Sequence, residues 1–83
     1  MATDVPELSA EAKNFKMGVY EHFKGGRYKI LSIARDSEDS SRELVVYQNI
    51  EKGYVWARPL KDFLSHVSRD SYSGPRFTYC GEM

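Results

Sequence analysis

Lys24-Gly25-Gly26 lies between two aromatic-rich runs, Gly18-Val19-Tyr20-Glu21-His22-Phe23 and Arg27-Tyr28-Lys29-Ile30, and this arrangement restricts the fold more sharply than any other in the chain. Two adjacent glycines supply the positive φ angles that a primed turn requires, and β-branched and aromatic side chains suit a pleated, half-buried surface. The segment predicts an antiparallel hairpin. The same pattern recurs downstream, giving strand candidates over Gly18–Phe23, Arg27–Arg35, Glu43–Gln48, Tyr54–Ala57 and Arg76–Cys80, each bounded by turn formers. Gly53 marks the turn between the third and fourth. Asp36–Ser41 and Arg69–Gly74 are too polar for a core and are expected as solvated loops.

One stretch departs from strand periodicity. Leu60, Phe63, Leu64 and Val67 are spaced i, i+3, i+4, i+7 behind Pro59, which suits a first helical turn, so Leu60–Val67 reads as a short helical plug. Short antiparallel strands with a helical turn before the last one describe a mainly β fold, a small SH3-like five-stranded antiparallel barrel or roll. An OB-fold would place its helix between the third and fourth strands, where this chain has only Asn49 to Gly53. Upstream, residues 1–16 read as a flexible arm in which Ser9 caps a helical turn begun by Ala10-Glu11-Ala12-Lys13. Residues 17–83 then form a single barrel domain.

Length and composition narrow the chemistry. A chain of 83 residues builds one small core and at most one shallow site, and eleven aromatic residues (six Tyr, four Phe, one Trp) supply its burial. Cys80 is the sole cysteine, so no intrachain disulfide is expected, and the chain has neither an apolar leader nor an 18-residue apolar run. A cytoplasmic location with no membrane contact is the expectation. Formal charge is zero, with seven Lys and Arg against nine Asp and Glu over residues 1–51 and five against three over residues 52–83, so electrostatic recognition has to be local. Without a basic recognition helix, duplex DNA is a poor partner. His22, His66 and Cys80 are too scattered for a zinc site, and Lys24-Gly25-Gly26 leads into a strand rather than a phosphate-binding helix. No nucleophile motif of the Gly-x-Ser-x-Gly kind occurs. The chain is expected to be no enzyme, with neither cofactor nor metal.

Several motifs recur together in a known family. Tyr20, His22, Phe23, Lys24, Gly25 and Tyr28 form the first group, followed by Ala34, Ser37 and Glu38 and then by Val45, Val46 and Tyr47. Trp56, Arg58, Pro59 and Phe63 come next, and Pro75-Arg76-Phe77 closes the series. In these residues the chain resembles DUF1653, a family of small bacterial domains of unknown function, from about Gly18 to Phe77. The resemblance implies the same SH3-like roll. Arg35-Asp36 departs from it, since related sequences often carry His or Thr just before the Ser-Glu pair.

The candidate ligand-binding set is Tyr20, His22, Ser37, Glu38, Tyr47, Trp56, Arg58 and Arg76. Arginine keeps its charge and presents a fork that matches carboxylates and phosphates, while aromatic faces stack planar groups. A binding module for a small anionic or planar ligand, such as a nucleotide, modified base or metabolite, is the reading these residue types favour. The alternative is a protein-interaction module that binds an extended peptide on Tyr20, Tyr47, Tyr54, Tyr72 and Trp56, or that self-associates through a sheet edge. A monomer or weak homodimer fits either reading. Each residue also has a plainer role open to it: Tyr28, Val46, Phe63 and Phe77 as core, His22 as a satisfied structural histidine, and the arginines as partners of Glu38 or of loop carbonyls.

Overall fold

In the computed structural model, which describes residues 5–82, five strands form one antiparallel sheet. The strands are β1 (Val19–His22), β2 (Arg27–Asp36), β3 (Asp39–Asn49), β4 (Val55–Pro59) and β7 (Phe77–Gly81), ordered β4-β3-β2-β1-β7. A four-residue helix, α2 (Leu60–Phe63), follows β4, and a separate hairpin of β5 (His66–Arg69) and β6 (Tyr72–Pro75) precedes β7. The result is the mainly β, SH3-like roll expected from the sequence. Gly25 and Gly26 both adopt positive φ, 102° and 89°, and close the β1–β2 turn as their sequence predicts.

Three elements depart from expectation. The polar stretch Asp36–Ser41 is largely strand, with only Ser37 and Glu38 at the turn. Asp36 Oδ1 accepts from the Glu38 N–H at 2.8 Å, and Asp39 Oδ1 accepts from the Ser41 N–H and hydroxyl at 3.1 and 2.6 Å. These local bonds support a tight turn, so β2 and β3 extend beyond the core as a polar ribbon. The expected loop Arg69–Gly74 is likewise mostly the β5–β6 hairpin, whose turn has Asp70 at φ 55°, a conformation that Asp tolerates better than most residues. The helix predicted over Leu60–Val67 ends at Phe63, because the Ser65 hydroxyl donates to the Asp62 carbonyl and the Ser65 carbonyl accepts from the Arg76 N–H. Leu64 therefore points to solvent and Val67 is buried from a strand instead.

Alternation places the core. Val45 and Tyr47 on β3, Ile30 on β2 and Phe77 on β7 turn inward together with Leu60 and Phe63 of α2. On β1, Val19 and Tyr20 are both buried, since a register shift between them against β7 breaks the strict alternation. Phe63 is 1% exposed and stacks on Phe77 with ring centroids 4.0 Å apart and planes within 4°. At the mouth of β1, Gly18 has φ 135°, and a Cβ there would lie 2.5 Å from the Gly81 carbonyl oxygen, so only glycine fits.

The segment expected as a free arm is packed on the sheet over its described part, while residues 1–4, like Met83 at the other end, lie outside the described residues. Ala12 of α1 (Ala10–Lys13) is buried, and Phe15 stacks on Tyr20 at 5.5 Å and meets Phe63 edge-on at 5.5 Å. Ser9 fastens the segment from both sides: its Oγ accepts from the Ala12 N–H as the helix cap, while its own N–H and hydroxyl donate to the two Glu43 oxygens, each at 2.7 Å. The bonds from Ser9 hold the Glu43 carboxyl below its usual pKa. Its contribution to stability is therefore present above the unfolded carboxyl pKa and is lost as pH falls through the folded value. Ser9→Ala removes the cap and one of the two bonds to Glu43, and should cost about 0.5–2 kcal/mol in urea denaturation, with faster amide exchange confined to residues 10–16.

Candidate functional site

A cavity of about 200 Å³ opens beside the free edge of the sheet, lined by His22, Tyr28, Tyr47, Trp56, Arg58 and Phe77. Strand register brings these residues together. Tyr47 on β3 stands opposite Trp56 on β4, and Val45 stands opposite Arg58, so Trp56 and Arg58, two residues apart, share the face that looks into the cavity. His22 on β1 faces Phe77 on β7, with their rings 4.9 Å apart and nearly perpendicular. Tyr28 meets Tyr47 at 5.4 Å and Phe77 at 5.9 Å, both edge-on, and completes the back wall.

Arg58 is fixed in place. Its Nε donates to the Tyr47 hydroxyl at 3.1 Å and its Nη1 to Asp62 Oδ2 at 2.8 Å, while its guanidinium lies 5.8 Å from the centre of the Phe77 ring. Partial burial works against its charge, but the bonds to Tyr47 and Asp62 outweigh that, and its pKa is raised. Arg76 is half-buried nearby and donates from Nε to the Ser65 hydroxyl at 3.0 Å. Among the described residues, Nη2 of Arg58 and both terminal nitrogens of Arg76 have no hydrogen-bond partner, and Arg76 has no carboxylate within ion-pair distance. The pairing with Glu38 raised by the sequence is not formed.

His22 is set up as a neutral donor. Its Nδ1 accepts from the Lys24 N–H at 3.1 Å, which places the ring proton on Nε2. Burial lowers its pKa first, and the positive charges of Arg58, Arg76, Lys24 and Arg69 lower it further. The carboxylate of Asp62 is engaged by Arg58. At 52% exposure Trp56 is a half-exposed ring at the cavity mouth rather than a core residue. Tyr54 lies beside it, edge-on at 6.4 Å and 61% exposed.

Of the eight candidate residues, His22, Tyr47, Trp56 and Arg58 line the cavity, and Arg76 adds its charge at the side. Three lie elsewhere. Tyr20 is buried in the core with its hydroxyl donating to the Lys16 carbonyl at 2.8 Å, and its pKa is raised by burial and by Tyr79. Ser37 and Glu38 occupy the tip of the β2–β3 ribbon, some nine residues along β2 from Tyr28, or roughly 30 Å at about 3.3 Å per residue. Tyr47 is not a stacking surface, since it is 5% exposed, and it acts through the bond its hydroxyl accepts from Arg58. Tyr28 and Phe77, expected as core, also wall the cavity; their place opposite His22 and Tyr47 arises from strand pairing that no local pattern encodes.

Two clefts of more than 500 Å³ lie apart from this one. One of about 570 Å³ runs along Pro6, Glu7, Glu11, Glu43 and Leu60, and one of about 530 Å³ lies beside Lys16, Lys29 and Tyr79. The first is acidic and is walled by the N-terminal segment; in the second, Lys16 Nζ already sits 4.9 Å from the Tyr79 ring centre. Neither joins open aromatic faces to unpaired arginine donors. Among the described residues no group of three or more His, Cys, Asp or Glu side chains is placed to hold a metal ion, and no helix is long and apolar enough to cross a membrane.

Comparison with known proteins adds a family. No curated protein matches the chain. A crystal structure of a DUF1653 protein from Bordetella bronchiseptica is similar at 31% identity with a TM-score of 0.76, over 87% of this chain and 95% of that one. The family model described as "Protein of unknown function (DUF1653)" matches residues 18–79, which span β1 through most of β7 and hold every residue that lines the cavity. On that match and that structural likeness, the chain belongs to the DUF1653 family.

Proposed function

We propose that this protein is a non-catalytic binding module whose cavity at His22, Trp56 and Arg58 recognises a planar group bearing an anion, as a nucleoside monophosphate does. The observation that carries the reading is the meeting of a half-exposed indole with unpaired guanidinium nitrogens on Arg58 and Arg76. The plane stacks on Trp56, the arginines take the anion, and His22 Nε2–H donates to an acceptor on the ligand. Trp56 is the only tryptophan, so its fluorescence reads the site directly. AMP should quench it, with adenosine and ribose 5-phosphate each binding more weakly; no response to any of the three would overturn the reading.

His22 supplies an independent check. In the free protein its pKa lies below the unfolded value of 6.5, so the unfolded chain binds more protons in that window and stability falls as pH drops through it. An anion held between Arg58 and Arg76 offsets their effect and raises the His22 pKa, so binding takes up a proton and tightens as pH falls through the imidazole range. The His22 Cε1–H resonance should titrate at higher pH with AMP than without. An unmoved midpoint with AMP bound would place the anion elsewhere.

A second reading has its own observation. β4 is an edge strand of the sheet, and Tyr54, Val55 and Trp56 on or beside it are 61%, 54% and 52% exposed. Such an edge suits strand addition by a peptide or a second copy. Light scattering across a concentration series, with Val55→Lys as the disrupting variant, tests self-association.

A further inference from the structure

The cavity is too small to be the whole site. Its 200 Å³ falls below the roughly 300–1,000 Å³ of ordinary ligand pockets, enough for one planar ring system with the remainder of the ligand lying outside. Outside the cavity the surface has direction. On one side Tyr54 extends the open aromatic surface beyond Trp56. On the other, Phe23 lies 4.7 Å from His22 and carries two cations, Arg69 with its guanidinium 5.3 Å and Lys24 with its ammonium 5.9 Å from the ring centre. The contacts Lys24 and Arg69 to Phe23, Phe23 to His22, His22 to Phe77 and Phe77 to Arg58 form an unbroken series, so positive charge continues past the arginines of the cavity. Glu7, Glu11 and Glu43 line a different cleft, and Asp36, Glu38 and Asp39 lie at the ribbon tip. Asp62, paired with Arg58, is a carboxylate that accompanies these cations.

We infer that the ligand is a single-stranded nucleic acid, with one base in the cavity against Trp56, its neighbour on Tyr54, and successive phosphates on Arg58 and Arg76 and then on Arg69 and Lys24. The inference rests on the reading of the cavity given above and extends it from an isolated nucleotide to a strand. Stacking is tolerant of base identity, and phosphate contacts set register without reading sequence, so recognition is of single strands in general. An acidic peptide would satisfy the cations and leave the aromatic cavity unfilled.

Fluorescence anisotropy with an end-labelled oligothymidylate octamer tests this, with AMP and TMP competing at the cavity and a poly-glutamate peptide of matched charge as a control. The octamer should bind at least about tenfold more tightly than the mononucleotides, with log affinity falling against log salt by about 0.7 for each phosphate engaged. The double variant Lys24→Gln/Arg69→Gln should shed about 0.7 to 1.4 of that slope and lose octamer affinity about tenfold, with mononucleotide affinity changed only a few-fold. If that variant fails to fold, the exposed Lys24→Gln alone serves, with half the effect. Octamer and mononucleotide binding equally, or an octamer affinity matched by poly-glutamate, would overturn the strand and leave the cavity reading in place. Binding of neither octamer nor mononucleotide would overturn both.

Discussion

Phe63→Ala should lower the unfolding free energy by about 3–5 kcal/mol, the usual cost of emptying a fully buried aromatic position. Domains of this size are stable by roughly 0.05–0.15 kcal/mol per residue, so one substitution removes a large share of the total. The reason is geometric. Phe63 lies flat against Phe77 at 4.0 Å and meets Tyr47, Tyr20 and Phe15 edge-on between 5.3 and 5.5 Å, so its removal opens a void bordered by four other rings. These rings belong to three strands and the N-terminal segment, which cannot all close inward together. Phe63→Leu, which keeps most of the volume, should cost well under half as much. Chemical denaturation measures both, and a loss below about 1 kcal/mol for the alanine variant would mean that α2 does not plug the core as described.

The second large effect concerns Arg58. Arg58→Ala should weaken AMP binding about ten- to a hundredfold, the range for losing a charged hydrogen-bonding partner. Asp62 adds to the loss, since its carboxylate, now paired at 2.8 Å, would stand uncompensated near the anion. Arg58→Lys restores a charge without the fork and should recover part of the affinity. Asp62→Asn is the discriminating variant, because freeing Nη1 and deleting a negative charge should strengthen binding a few-fold. If Arg58 serves only to hold β4 on α2, Asp62→Asn would lower stability and leave AMP affinity unchanged. Tyr47→Phe separates positioning from contact: it removes only the acceptor of Arg58 Nε and should reduce affinity without altering the Trp56 emission of the free protein.

Much of this was legible in the residues. Gly25-Gly26 fixed the first hairpin, but on β3 the expected core residue Val46 is only half-buried, and its neighbours Val45 and Tyr47 take the inward face instead. His22, Trp56 and Arg58 were legible as candidates, but their convergence depends on the β1–β7 and β3–β4 pairings, which no local pattern encodes. What escaped shares a physical cause. β5 and β6 are four residues each with Val67 alone buried, too short to show a period, and the outer ends of β2 and β3 are built from Ser, Arg, Asp and Glu, which carry no hydrophobic period on a ribbon with water on both faces. Ser37 and Glu38 belong to the candidate set through the family resemblance, and nine residues of strand keep them away from the cavity. The docking of the N-terminal segment depends on Ser9 reaching Glu43, 34 residues later, and on Phe15 reaching Tyr20 and Phe63. Contacts of that range leave no local signal.

The most direct test of the cavity is to map the ligand's footprint. In ¹H–¹⁵N spectra recorded during an AMP titration, the indole N–H of Trp56, the Arg58 and Arg76 Nε–H groups and the backbone amides of His22–Lys24, Val55–Arg58 and Phe77 should shift in fast or intermediate exchange. The rest of the chain should stay still. Shifts that gather instead around Pro6–Glu11 and Leu60–Leu64, or around Lys16 and Tyr79, would place recognition in one of the other clefts and contradict the site assigned to Trp56 and Arg58.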